Sequence, residues 1–207
     1  MMMDAPGWLT TLAWAWIALC VLSAAAIALD VVRHRQRSVT MDVVWPVSAL
    51  YLGPISLLLY ARWGRPRSTP PVAATGLAGG AASALAHLVG VPVVVLTGLQ
   101  IAGVDLWPMI LVIAVVAVGL LAVFEAAAGH RPGRAALLAL VTVVAFDVGM
   151  GGWMLLLHFN EAMPAASTGA FWFLMQVGVV LGTLTALPVV RRLLAQPRPA
   201  AGVRAAP

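Results

Sequence analysis

Residues 106–128 read LWPMILVIAVVAVGLLAVFEAAA, an apolar run in which Glu125 is the only charged side chain. About 20 such residues are needed for one helix to cross the hydrocarbon core of a bilayer. A helix is the form expected for such a run, because in lipid the backbone polar groups must be satisfied within the segment. This stretch therefore predicts a helical membrane protein.

The rest of the chain has the same composition. Its 207 residues are 62% hydrophobic and 9% charged, whereas soluble domains are about 45–50% apolar and about 25% charged. Ordinary soluble enzymes, disordered binders and disulfide scaffolds are excluded, the last because Cys20 is the only cysteine. All twelve cationic residues are arginines in short clusters between apolar runs. We therefore expect the lipid bilayer as partner and no nucleic acid.

Arginine, proline and glycine clusters divide the chain into six apolar runs. We predict an all-α integral membrane helical bundle over 8–190, with about six transmembrane elements. A short segment, 1–7, precedes it, and a disordered tail, 191–207, follows. No cleavable signal peptide is expected, because the positive residues follow the first run. The predicted runs are 8–32, 41–60, 71–102, 106–128, 135–158 and 171–190.

The arginines also predict the orientation, since short cytoplasmic loops are rich in them. Six crossings of a bacterial inner membrane place the arginines of 62–67, 131–134 and the tail in the cytoplasm, but leave the cluster 33–37 outside. We favour six crossings, because prolines are tolerated in membrane helices. In the alternative, Pro46 and Gly53 break the second run into a re-entrant element, and all twelve arginines become cytoplasmic.

Ionisable side chains deep in a bilayer are costly and point to function. Asp147 lies near the middle of the fifth run, and His87 lies at a similar depth in the third. If these runs cross in the same direction, the two side chains could form a hydrogen-bonded pair, and with Gln176 they are the candidate intramembrane polar site. The alternative is structural: a protonated Asp147 that clamps two helices and a satisfied interior His87.

A candidate metal site shares a helical face with Asp147. Met150, Met154 and His158 follow it at helical spacing, and Met175 on the sixth run is expected at the depth of Met154. Thioethers together with an imidazole suit Cu(I), so copper is the cofactor that this pattern suggests. Methionine is also a common filler of apolar cores, which is the structural alternative.

Glycines provide the predicted packing positions. Gly149 and Gly152 in the fifth run, and Gly178 with Gly182 in the sixth, allow helices to approach closely. The interfaces they predict are either within the bundle or with a second copy or another membrane partner. No nucleotide-binding glycine loop, zinc-protease motif or catalytic triad can be assembled, so no catalytic residue is predicted.

Three strings resemble the signatures of a prokaryotic multi-pass membrane family, domain of unknown function 4396. They are MDVVWPVSALYLGP at 41–54, FDVGMGGWM at 146–154 and FWFLMQVG at 171–178. Many of the members that the chain resembles carry cysteines in the third helix, where this chain has none around His87. The resemblance implies a multi-pass membrane protein but no activity.

Two functions remain open on this reading. The first is a small transport or proton/metal-handling protein with an intramembrane Asp/His/Met pocket. The second is a non-catalytic membrane scaffold that associates through its glycine faces.

Overall fold

The structure is a computed structural model that describes residues 7–36, 38–64 and 76–195. These residues form seven α-helices and one π-helical turn, which confirms the all-α bundle. The predicted N-terminal segment up to residue 6, the tail beyond residue 195, and Arg37, Arg65 and Arg67 lie outside the described residues. The helices are α1 Gly7–Arg33, α2 Val39–Leu52, α3 Pro54–Leu59, α4 Leu77–Thr97, α5 Leu106–Ala127, α6 Pro132–Phe159 and α7 Gly169–Ala195, with the π-helical turn at Tyr60–Gly64.

Five of the helices in the described part of the chain are long and apolar enough to cross a membrane. They are α1, α4, α5, α6 and α7, so the chain is a multi-pass membrane protein. Helix α7 continues to Ala195, past the predicted end of the sixth run at Val190. The long side chains of Arg191 and Arg192 can reach the bilayer interface from such an extended helix.

The second apolar run is not one continuous helix. Helix α2 has 14 residues and is about 21 Å long, which is short of the roughly 30 Å hydrocarbon core. It ends at Gly53, whose φ of 56° and ψ of −135° are open to glycine but strained for other residues. Pro54 follows and begins α3.

After Gly53 the chain turns back toward the end where it started. Gly53 lies beside the side chains of Trp16 and Cys20, in the middle of α1. Seven residues later, the Tyr60 hydroxyl donates to Asp30 Oδ2 at 2.8 Å and accepts from Gln36 Nε2 at 3.2 Å. Tyr60 thus returns to the end of α1 that carries Arg33.

Residues 39–64 therefore form a re-entrant hairpin, called the hairpin below. Both of its ends lie at the arginine end of the bundle, the end that carries Arg33, Arg62, Arg131 and Arg192. Among the described residues, the structure therefore matches the alternative, with five helices long enough to cross and one hairpin, rather than the preferred interpretation of six crossings. The physical reason is the break at Gly53-Pro54, which was the basis of the alternative.

Small residues set the packing of the other helices. Gly80 of α4 lies against Tyr51 of the hairpin and Thr183 of α7, and Gly90 lies against Ile113 of α5. Close approach at these positions holds α4 between the hairpin, α5 and α7. This placement brings the middle of α4 to the tip of the hairpin.

Candidate functional site

A cavity of about 270 Å³ lies at the tip of the hairpin. Helices α1, α2, α4 and α7 all contribute to its wall, and it is called the hairpin cavity below. Its wall is largely apolar, and it includes two indole rings, two sulfur atoms and three polar side chains. Those residues are Trp14, Trp172, Cys20, Met175, Tyr51, His87 and Gln176.

His87 is the imidazole of this cavity and is only 4% exposed. Its Nδ1 lies 2.8 Å from the carbonyl oxygen of Ser83, one turn earlier on α4. A carbonyl oxygen can only accept, so Nδ1 must carry the proton. No described residue pairs with Nε2, which in the neutral ring is an acceptor.

Gln176 joins α7 to the hairpin tip. Its Nε2 donates to the carbonyl oxygen of Leu50 at 2.7 Å. In a continuous helix the amide of residue 54 would fill this role, but Pro54 has no N–H. Gln176 replaces the missing donor, and its Oε1 is left without a hydrogen-bond partner among the described residues.

Two further polar groups line the cavity. The hydroxyl of Tyr51 is buried and makes no hydrogen bond of good geometry within the described residues, although Thr183 Oγ1 is near it. The Cys20 thiol lies beside the Gln176 amide. Sequence reasoning alone missed both residues. The signal was the Gly53-Pro54 break, because broken helices in membrane proteins mark binding sites.

Asp147 is not part of this arrangement. It is half-buried in the middle of α6, next to Val148, whose side chain is 69% exposed. It makes no hydrogen bond or ion pair with another described residue. The hydrogen-bonded pair considered for Asp147 and His87 is therefore not formed. His87 and Gln176 share the hairpin cavity, and Asp147 is not among the residues that line it.

The candidate metal ligands divide between two places. Met150, Met154 and Met175 are fully buried, and Met175 also lines the hairpin cavity. His158 lines a different cavity, of about 250 Å³, with Asp105 and Glu161 at the bundle end opposite the arginines. Among the described residues, no group of three His, Cys, Asp or Glu side chains is placed to hold a metal. A copper site on the methionines stays a prediction.

Three of the four predicted packing glycines lie between α6 and α7. An added Cβ at Gly178 would collide with Met150, one at Gly182 would lie 2.7 Å from Phe146, and one at Gly149 would lie 2.6 Å from the carbonyl oxygen of Leu181. Gly152 is different, because a Cβ there meets no described atom within 4 Å. Gly149, Gly178 and Gly182 are therefore used inside the bundle.

Comparison with known proteins assigns the chain to a family. A family model described as Domain of unknown function (DUF4396) matches residues 71–198. The chain belongs to this family. The match spans α4 to α7, with His87, Asp147 and Gln176, while the hairpin precedes it. No curated protein and no solved structure was found to match the chain.

Proposed function

We propose that this protein belongs to the transport class, as a small transport or proton-handling protein that binds its solute in the hairpin cavity. The observation that carries the proposal is that three side chains of one cavity wall, His87, Tyr51 and Gln176, each hold a buried polar atom without a hydrogen bond to another described residue. Buried polar groups are normally paired, and unpaired ones need an explanation such as a ligand.

The hairpin supports the same proposal. Non-helical backbone at membrane depth is tolerated where protein buries it or where it lines a cavity. Broken helices of this kind form substrate sites near the midplane of many transporters. Gly53 provides the break, and the Leu50 carbonyl is held by Gln176 on a different helix. Movement of α7 against the hairpin would therefore act directly on the cavity.

The orientation of the protein follows from its arginines. We infer that the arginine end of the bundle faces the cytoplasm of a bacterial cell, because short cytoplasmic loops are enriched in arginine. With five crossings and one hairpin, the arginines at 33, 35, 62, 131, 134, 191 and 192 all fall on that side. Six crossings would leave the arginine cluster 33–37 outside the cell, whereas five crossings and one hairpin place Arg33 and Arg35 in the cytoplasm.

Association through glycine faces was the alternative function. The argument from glycines for this function is weakened, because Gly149, Gly178 and Gly182 already pack at the α6–α7 interface. Gly152 alone keeps an open face among the four. A scaffold role would have to rest on a surface other than these three glycines.

Cys20 tests the proposal, because it is the only cysteine of the chain and lines the cavity. A solute that leaves for water requires the cavity to open to water in some conformation. We expect a membrane-impermeant methanethiosulfonate reagent to modify Cys20 slowly in sealed vesicles, from at least one side. Ile27 lies on the same helix, equally buried but away from the cavity. Ile27→Cys combined with Cys20→Ala is therefore the matched control.

Equal rates for the two thiols would overturn the proposal, since Cys20 would then be no more accessible than a packed core position. The Cys20→Ala variant alone gives the background of the assay. Faster modification of Cys20 than of the control supports a cavity that reaches water.

A further inference from the structure

The mouth of the hairpin cavity opens toward lipid. Val21 of α1 and Leu88 of α4 both line the cavity and are 52% and 49% exposed. Each lies near the middle of a helix that is long enough to span, so the mouth is at mid-depth in the hydrocarbon core. A molecule that enters here must be soluble in the bilayer.

The wall also restricts the charge of a ligand. No Asp, Glu or Arg of the described residues lines the hairpin cavity. An ion without a compensating charge would be strongly destabilised in such a place. The ligand that fits is therefore uncharged.

The polar atoms restrict its hydrogen bonds. Nδ1 of His87 donates to Ser83, which leaves Nε2 of the neutral ring as an acceptor. The Gln176 amide nitrogen donates to Leu50, which leaves Oε1 as an acceptor. Two unpaired acceptors therefore belong to side chains of the cavity wall. A ligand that pairs with them must bring donors, whereas the Tyr51 hydroxyl can serve as either donor or acceptor.

The apolar wall indicates a flat body. The indole rings of Trp14 and Trp172 can stack on an aromatic ring. The sulfur atoms of Cys20 and Met175 also make favourable contacts with aromatic edges. A volume of about 270 Å³ is at the small end for ligand pockets, which suits one or two rings.

From these four constraints we infer that the hairpin cavity binds a neutral aromatic diol, of the hydroquinone class, that enters from the bilayer. Its hydroxyl groups donate to His87 Nε2 and Gln176 Oε1. This inference rests on the proposed function, because it names the class of solute for the same cavity.

The test measures binding of dihydroxynaphthalene to the protein in lipid nanodiscs, with empty nanodiscs to subtract partitioning. We expect saturable binding at one site. Dimethoxynaphthalene has the same rings but no donors, and it should bind about tenfold or more weakly, as expected for one or two lost hydrogen bonds. Equal binding of the two compounds would overturn the inference.

Two variants locate the site. His87→Leu removes an acceptor and should weaken diol binding about tenfold. Leu88→Trp blocks the mouth, and Val89→Trp is its control, because Val89 is similarly exposed on the same helix but does not line the cavity. Loss of binding in Leu88→Trp but not in Val89→Trp supports lateral entry. Equal effects of both tryptophans would contradict it.

The two proposals can fail separately. If Cys20 is modified from water but the diol does not bind, the ligand class is wrong and the transport proposal stands. If the diol binds while Cys20 stays as inert as its control, the cavity is a binding site within the membrane and transport is wrong.

Discussion

Asp147 is the one acidic side chain in the middle of α6, and no other described residue pairs with it. A charged residue at the bilayer centre costs about 2.5–3.5 kcal/mol on insertion scales. Its neighbour Val148 is exposed on the surface of the helix. No hydrogen bond or ion pair with another described residue therefore offsets the free-energy cost of placing the Asp147 carboxyl group in the bilayer.

We predict that Asp147→Leu stabilises the folded protein by about 1–3 kcal/mol, because it removes the intramembrane carboxyl group. The measurement is the free energy of unfolding in lipid nanodiscs. Val148→Leu is the control, since it changes one exposed apolar side chain into another and should be neutral. A less stable Asp147→Leu variant would reveal a partner that Asp147 needs.

Gln176 has a structural contribution that can be separated from ligand binding. We predict that Gln176→Met destabilises the protein by about 1–3 kcal/mol, because the Leu50 carbonyl then has no donor in place of the missing Pro54 amide. Thermal unfolding without ligand measures this cost. Leu184→Met, at an exposed position of the same helix, should be neutral. Unchanged stability of Gln176→Met would mean that another group caps Leu50.

Among the elements, the hairpin depends on a single backbone position. Gly53 has a positive φ of 56°, and a Cβ there would lie 3.1 Å from Cys20 Sγ and 3.2 Å from the Trp16 ring. Conformation and space therefore both favour glycine.

We predict that Gly53→Ala destabilises the protein by about 1–3 kcal/mol from backbone strain, with the steric contacts adding to it. Gly98→Ala is the matched control: Gly98 also has a positive φ, of 63°, but open space around its Cβ position. Unfolding of both variants should show the larger loss for Gly53→Ala. Equal losses would show that the contacts with Trp16 and Cys20 relax freely.

The contact between α6 and α7 depends on three glycines, Gly149 of α6 and Gly178 and Gly182 of α7. We predict that Gly182→Ala destabilises the bundle by about 1–3 kcal/mol, the typical cost of overpacking, because its Cβ would lie 2.7 Å from the Phe146 ring. Gly152→Ala has open space and should be neutral or slightly stabilising, since alanine is the better helix former. Unfolding of both variants in nanodiscs measures the difference. The reverse order of stabilities would contradict the packing described here.

For the whole molecule, the decisive property is the number of crossings. Five crossings and a hairpin put Gln36 and Trp63 at the same end of the bundle, and Asn160 at the other. Six crossings would instead separate Gln36 from Trp63.

We predict that thiols introduced by Gln36→Cys and Trp63→Cys, each in a Cys20→Ala background, react with an impermeant maleimide from the same side of sealed vesicles. A thiol introduced by Asn160→Cys should react from the opposite side. Disruption of the vesicles with detergent gives the total labelling in each case. Opposite sides for positions 36 and 63 would restore six crossings.

Much of the architecture was predictable from local sequence. A run such as 106–128 has to be a helix in lipid, because its backbone can be satisfied only within the segment. The break at Gly53-Pro54 could be seen as well, since proline removes an amide and glycine opens a special backbone region. The direction of the chain after the break could not be predicted from local sequence, because it depends on contacts of Tyr60 with Asp30 and Gln36.

The candidate site was predicted less completely. His87 and Gln176 were chosen as polar residues in apolar runs, and both line the hairpin cavity. Tyr51 and Cys20 were missed. The Gly53-Pro54 break marks the chain next to Tyr51, but nothing near Cys20 distinguishes it from an ordinary membrane residue. Asp147 was placed with His87 on depth alone, and depth does not specify the direction in which a side chain points around its helix.

Composition and run length were therefore enough to establish a helical membrane protein, since the bilayer imposes the same demand on every segment that crosses it. The folded bundle was needed to show that the second run turns back and that four helices form the wall of a cavity. Those features arise from contacts between residues far apart in the chain, such as Gln176 with Leu50 and Tyr60 with Asp30. Periodicity and hydropathy describe one segment at a time, so they carry no information about such pairs.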